Sequence, residues 1–398
     1  MTADGAACSP VSAYIHVPFC RRRCFYCDFP ISVIGERQRG ETSGTIAQYV
    51  DWLRQEIAAT PSLGGALKTV FFGGGTPSLL AVSQLEKILT ALQQQFGIAS
   101  SAEISMEMDP GTFDLAHLQG YRDCGVNRVS LGVQAFQDRL LEACGRFHRT
   151  ADVYRAAEDL QQVQISSWSL DLISGLPYQT MADWAESLTA AIALSPQHVS
   201  VYDLTLEPQT PFGKFYAPDS QPLPPEATTV EMYCLAQQSL TAAGYDHYEI
   251  SNYARPGHQC QHNLTYWHNQ PYYGFGMGAT SYTQQQRCSR PRTRAQYADW
   301  LKAYAASGAA LDCDPTPPAE RILDWLMVGL RLAKGVPLAP LRQLDEAVVP
   351  QLRQCLASYL DRGQVHLSGD RLWLSDPEGF LVSNAILADL FNLFDSEA

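Results

Sequence analysis

Tyr14-Ile15-His16-Val17-Pro18-Phe19-Cys20-Arg21-Arg22-Arg23-Cys24-Phe25-Tyr26-Cys27-Asp28-Phe29 begins as a short β-branched and aromatic run and then places three cysteines within eight residues. The run reads as a strand, so the cysteines fall on the loop at its C-terminal end. Three thiolates on one loop suit three irons of a [4Fe–4S] cubane and leave the fourth iron without a protein ligand. The competing reading is a zinc site completed by Cys8 or His16.

Working outward, short strand-like runs alternate with helical stretches. Strands are expected at 14–17, 69–72, 103–106, 128–131, 169–173 and 198–202. Helices are expected at 48–58, 83–96, 115–123, 138–144, 152–162 and 181–194, the second with Leu85, Ile88, Leu89 and Leu92 at helical spacing. Six such alternations mean right-handed βαβ units around a parallel sheet. Polar and glycine motifs follow the strands, which puts the site at the C-terminal strand ends. A doubly wound open sheet fits this pattern nearly as well as a barrel.

Beyond the sixth strand the pattern changes. Residues 209–225 are rich in proline and polar side chains, and 230–243 read as a helix. Residues 248–278 are aromatic and read as irregular. Helices at 319–332, 351–362 and 384–393 enclose a hairpin whose strands, 365–367 and 372–374, flank Ser368-Gly369-Asp370. This order suggests a small winged-helix-like domain. The expected organisation is therefore a tail at 1–13, a barrel at 14–208, a barrel extension at 209–318 and a C-terminal domain at 319–398.

With 46% hydrophobic residues and a net charge of −13, the chain can bury a large core and repels phosphate backbones. The C-terminal domain accordingly reads as a packing module rather than a nucleic-acid reader. Arg21–Arg23 form one local basic patch. The first residues lack the basic start and apolar run of a signal peptide, and no stretch approaches a spanning helix, so a soluble, cytoplasmic protein is expected. Eleven cysteines without a secretion signal argue against a disulfide scaffold. Cys8, Cys124, Cys144, Cys234, Cys288, Cys313 and Cys355 are expected to be reduced.

The C-x-x-x-C-x-x-C triad after YIHVPFC resembles the radical S-adenosylmethionine (SAM) superfamily, and more narrowly its coproporphyrinogen-oxidase-like branch. The resemblance runs from Tyr14 through nearly the whole chain and implies an incomplete (β/α)6 barrel. It implies that Cys20, Cys24 and Cys27 hold a cluster whose open iron binds SAM. It further implies SAM contacts from Gly74, Gly75 and Thr76 in Gly73-Gly-Gly-Thr-Pro-Ser78, and from Glu107 in Glu107-Met-Asp-Pro110. Gln134, Arg146 and Asp171 match further SAM positions, Tyr14 and Tyr26 line the same pocket, and Thr205 is a last contact. A charged residue inside an apolar strand needs a partner, so Arg146 is expected to pair with Asp171.

Three features separate the two subfamilies of this branch. The oxygen-independent coproporphyrinogen III oxidases carry an extra cysteine two residues after the third ligand, where this chain has Phe29. They also carry a longer segment before the first strand, whereas only 13 residues precede Tyr14 here. His262-Asn-Leu-Thr-Tyr-Trp267 matches the HNxxYW motif of the HemW-type haem chaperones. A neutral imidazole can ligate haem iron, and Tyr266 and Trp267 offer faces to a flat macrocycle. The competing reading is a histidine and tryptophan packed in the core. His258, Cys260 and His268 are the other candidate haem ligands. The resemblance thus implies a carrier of haem to an acceptor protein, of the respiratory chain among other candidates, with peripheral membrane contact compatible with that role. The alternatives are a true oxidase that decarboxylates two propionates of coproporphyrinogen III, and a radical enzyme of unrelated substrate.

Overall fold

The computed structural model describes residues 9–36, 39–309, 313, 316–343 and 348–395. Six parallel strands form its centre: β1 (Ser12–Val17), β2 (Leu67–Gly74), β3 (Ile98–Met108), β4 (Arg128–Gln134), β5 (Ser167–Ser174) and β6 (His198–Asp203). Two antiparallel strands, β7 (Asp246–Glu249) and β8 (Asn252–Ala254), extend the β6 edge, and β9 (Tyr273–Phe275) runs parallel to β1 at the other. The nine-stranded order is β9-β1-β2-β3-β4-β5-β6-β8-β7, which stays open. An open sheet of six parallel strands with helical crossovers is the incomplete barrel that the resemblance implies. Residues 248–278, expected to be irregular, in fact supply β8, β9 and a helix; their strands are too short to show a period.

The helices α1 (Gly44–Ala59), α2 (Val82–Gln95), α3 (Leu115–Asp123), α4 (Asp138–Ala143), α5 (Thr150–Val163) and α6 (Met181–Leu194) fill the crossovers. Alternate strand residues make two unlike faces. Ala13, Ile15, Val17, Val70, Phe72, Met106, Val129, Leu131, Leu170 and Val199 are fully buried in the main core, with the helices' apolar stripes. The opposite face carries Tyr14, Ser105, Glu107, Ser130, Ser169, Asp171 and Ser200, which line a cavity of about 220 Å³. An ordinary (β/α) barrel fills its interior with branched apolar side chains. Small hydroxyls and carboxylates leave this one hollow.

Three helices after β6 matter to the site or its supports: α7 (Pro211–Phe215), α8 (Glu226–Ala242) and α9 (Gln261–Trp267). A two-stranded ribbon, Thr280–Thr283 with Gln286–Ser289, packs against β9, and α10 (Arg294–Ala306) packs beside α1. There the ion pair of Glu56 with Arg290, 2.8 Å and fully enclosed, is completed by Tyr297 and the Gly276 amide. Cys288 and Cys313 are disulfide-bonded, 5.9 Å apart at Cα. This corrects the expectation that both are reduced: the two cysteines, 25 apart in sequence, meet in a tertiary contact that their spacing does not show.

The C-terminal unit starts with α11 (Pro318–Gly329) and ends with α12 (Ser383–Asp395). Between them lies a three-stranded sheet in which Val365–Ser368 pairs with Arg371–Leu374, as the hairpin signature requires. Gly369 sits at φ 59° in the turn, a conformation that favours glycine. Leu326, Leu352, Leu372, Ile386 and Leu390 form a core separate from that of the barrel. Among the described residues no helix is long and apolar enough to cross a membrane.

Candidate functional site

The loop leaving β1 holds the three expected thiols at the C-terminal edge of the sheet. Its base is closed by pairing of Phe19–Cys20 with Ser32–Val33. Cys20, Cys24 and Cys27 are all free and half-buried. Two donors reach their sulfurs. Thr76 Oγ1 lies 3.6 Å from Cys20 Sγ, and Arg146 Nη1 donates to Cys24 Sγ at 3.5 Å. Burial pushes the Cys20 thiol up, against the Thr76 hydrogen bond, and burial likewise raises Cys27. Metal coordination reverses such a shift, because a coordinated thiol is held as thiolate.

Three free thiols on one loop, with hydroxyl and guanidinium donors aimed at two of the sulfurs, suit an iron–sulfur cluster with one open iron. Both ring nitrogens of His16 are engaged, Nδ1 with Tyr14 Oη at 3.1 Å and Nε2 with the Pro30 carbonyl at 3.0 Å. His16 is therefore no free fourth ligand for zinc, and Cys8 lies outside the described residues.

Gly74–Thr76 pass directly beneath this loop. A Cβ on Gly74, at φ 111°, would meet the His16 ring at 2.4 Å, and one on Gly75 would meet the Phe19 carbonyl at 2.7 Å. The glycines therefore let β2 close against the cysteine loop. The Gly74 amide donates to Glu107 Oε2 at 2.9 Å. Burial raises Glu107 to about 8; the Gly74 bond opposes this, and the Asp171 and Asp109 charges add to it. Burial also raises Asp171 to about 6, against hydrogen bonds from Ser200 and Ser130.

The expected Arg146–Asp171 pair does not form. Arg146 is buried against Asp109 in a close ion pair and donates to the Gly132 carbonyl at 2.8 Å. Asp171 instead accepts from Ser130 Oγ at 2.9 and 3.0 Å. The reason is geometric. Asp171 faces the lumen between neutral hydroxyls, whereas Asp109 reaches over the rim to where the α4–α5 connection brings Arg146. Asp109 stands two residues after Glu107 in the same motif, so a signal for it was available. Gln134, at φ 71°, lies over Gly132 beside the same pair, since a Cβ on Gly132 would meet Asp109 Oδ1 at 2.9 Å and Gln134 Nε2 at 3.1 Å. Tyr14 lines the lumen. Tyr26 packs between the cysteine loop and the Leu140, Leu141 and Phe212 cluster. Thr205 is exposed beyond β6 and does not line the cavity.

The lumen is polar to its floor. Ser105 Oγ, Arg128 Nη2 and His198 Nδ1 are buried and unpartnered among the described residues, and all three side chains line the cavity. None stood out in the sequence, because serines and an arginine within strands carry no motif. Orphaned donors facing a hollow are what a polar ligand satisfies.

Helix α9 plugs the opposite end of the barrel. Its N-terminal amides, those of Gln261 and His262, donate to Glu103 at 3.2 and 3.0 Å. His262 is buried; its Nδ1 bonds Thr69 Oγ1 and its Nε2 bonds Tyr266 Oη, each at 2.8 Å. Burial lowers His262 to about 3, so the ring is neutral. Asn263, Tyr266 and Cys260 face the lumen. Trp267 points away from it, under the Arg331 guanidinium at 5.0 Å. His258 Nδ1 sits 3.3 Å from Ser167 Oγ, and His268 Nδ1 is 2.8 Å from the Leu264 carbonyl.

The description "Radical SAM superfamily" matches residues 14–191, and "HemN C-terminal domain" matches residues 316–382. The chain is 48% identical to the "Heme chaperone HemW" of Synechocystis sp., with 99% of each chain covered. It is 34% identical to that of Escherichia coli, over 95% of this chain and 97% of the relative. The coproporphyrinogen III oxidase of Escherichia coli, a radical SAM enzyme, superposes with a TM-score of 0.81 over 100% of this chain and 92% of that one. At 22% identity this shows a shared fold. On its sequence relatives, the chain belongs to the HemW family of the radical SAM superfamily.

Proposed function

We propose that this chain is a haem chaperone built on a [4Fe–4S], SAM-binding barrel, which binds haem and passes it to an acceptor protein. Cys20, Cys24 and Cys27 would hold the cluster. Gly74, Gly75, Thr76, Glu107, Gln134, Arg146 and Asp171 would hold SAM, with Tyr14 and Tyr26 flanking them. The observation that carries this reading is the convergence of three thiols, two sulfur-directed donors and two raised carboxyls at one mouth of a hollow barrel. Held by these residues, the cluster would supply reducing electrons to bound SAM. The chain's own residues supply the rest. Thr76 and Arg146 hydrogen-bond the ligating sulfurs, and Glu107 and Asp171 present carboxyl oxygens to ribose hydroxyls. Haem binding is favoured over coproporphyrinogen oxidation by Phe29, which stands where the oxidase-like pattern has cysteine, and by full-length relatives named as heme chaperones. The segment His262–Trp267 enters as the barrel floor, and ligation by His262 would require it to release Thr69 or Tyr266.

Anaerobic reconstitution tests the reading: about four irons per chain, lost in Cys24→Ala, and about one haem per chain, with no decarboxylation of coproporphyrinogen III. Stoichiometric zinc without iron–sulfur absorbance, or robust formation of protoporphyrinogen, would overturn it.

A further inference from the structure

Haem is a flat apolar disc with two carboxylates on one edge, and the lumen, at about 220 Å³, lies below the usual size of pockets that enclose ligands of this class. The histidines near the barrel floor offer little: both nitrogens of His262 are engaged, and Cys260 is buried with its thiol 3.7 Å from Glu103. The opposite mouth looks different. Phe147, Phe25 and Phe215 are 39%, 40% and 75% exposed there. Two contacts bring the segments that carry them together: Gly145, two residues before Phe147, abuts the Phe25 ring, and the Phe25 ring lies 6.0 Å from that of buried Phe212, which shares α7 with Phe215; the three exposed rings thus border one shelf. Above Phe147 stand the guanidinium groups of Arg21 and Arg22, at 4.9 and 5.4 Å; Arg21 is buried and donates to the Gly111 carbonyl, and Arg22 is ion-paired with the exposed carboxylate of Glu36. Arg23 bonds only the loop carbonyls of Cys27 and Phe29 and has no carboxylate partner among the described residues. A cationic run beside exposed aromatic rings, in a chain of net charge −13, is a local match to an apolar dianion.

We propose that haem seats on this shelf, stacked on Phe147, Phe25 and Phe215 with one propionate on Arg23 and the other on Arg22, where it displaces the exposed Glu36 carboxylate, and that no side chain of the barrel floor ligates its iron. The proposal rests on the haem-chaperone reading and adds the place and mode of binding. Stacking and charge need no iron, so the seat takes any free-base porphyrin with two carboxylates.

The test uses the full-length, cluster-reconstituted protein, titrated with haem, with metal-free protoporphyrin IX and with its dimethyl ester. The free base should bind within about threefold of haem, and the uncharged ester roughly tenfold more weakly. Phe147→Ser/Phe215→Ser and Arg22→Gln/Arg23→Gln should each weaken haem binding about tenfold, with melting temperature and cluster absorbance unchanged; His262→Gln should bind as the wild type does. Haem binding that requires iron, or that is lost in His262→Gln, overturns the shelf while leaving the chaperone reading intact. So does a shelf variant that binds haem normally but fails to hand it to an acceptor, since the shelf is then a protein-docking face. Wild type that binds no haem overturns the chaperone reading itself.

Discussion

Glu107 shows how much one carboxyl's surroundings decide. Its carboxyl is raised from 4.5 to about 8, chiefly by burial. The folded chain therefore binds more protons than the unfolded chain between those values. Its contribution to stability is fully present below about pH 4.5 and is lost as pH rises towards 8. Glu107→Gln removes the titration, so the melting temperature of the apo variant should gain on the wild type as pH climbs through that window. The same substitution should weaken SAM binding by roughly 1.5–3 kcal/mol, through the lost charge-assisted contact. Because ribose hydroxyls favour the ionised form, wild-type SAM affinity should rise between pH 6 and 8 with proton release seen by calorimetry. Affinity that is flat with pH and equal in both proteins would place Glu107 outside the SAM site.

At the scale of an element, α9 is held by charge and hydrogen bonds more than by propensity. Seven residues are too few for a stable isolated helix. Glu103 accepts its first amides, and His262 ties it to β2 through Thr69 and to its own last turn through Tyr266. His262→Ala removes a buried ring and leaves two hydroxyls without their partner, at a cost of about 2–4 kcal/mol. Urea denaturation should show that loss, while haem binds with an unchanged Soret band. A variant of full stability whose haem spectrum changes would instead make His262 a ligand. The motif was legible in the sequence, but its direction was not. Which side of a seven-residue helix faces the lumen depends on Glu103 and Thr69, both more than 150 residues earlier.

At the scale of the whole molecule, the C-terminal unit is stitched onto the free edge of the sheet. Ile250 N donates to the Arg331 carbonyl and Ala333 N to the Tyr248 carbonyl, each at 3.0 Å. His247 Nδ1 meets Asp376 at 2.8 Å, and the Arg331 side chain covers Trp267. Arg331 also lowers the raised carboxyl of buried Glu249. Arg331→Ala therefore removes a cation–π contact and leaves a buried acid less compensated, together about 2–4 kcal/mol across the junction. Since the two units have separate apolar cores, unfolding of this variant should split into two transitions followed by tryptophan fluorescence. A single unshifted transition would mean that the junction is held elsewhere.

The cysteine triad, the six alternating strands and helices and the C-terminal hairpin could be read from residue order because each is set by neighbours within a few positions. Metal-ligand spacing lies within one loop, strand and helix periods within one element, and turn chemistry within two residues of Gly369. Fold-level pattern alone let an open sheet fit nearly as well as a barrel; the family resemblance decided between them. What only the tertiary structure decided are pairings across long loops. Arg146 met Asp109 rather than Asp171, Cys288 met Cys313, residues 246–275 completed the two sheet edges, and α9 became a floor. Each depends on which groups face one another after the crossovers close, and a buried charge takes the partner that geometry brings within reach.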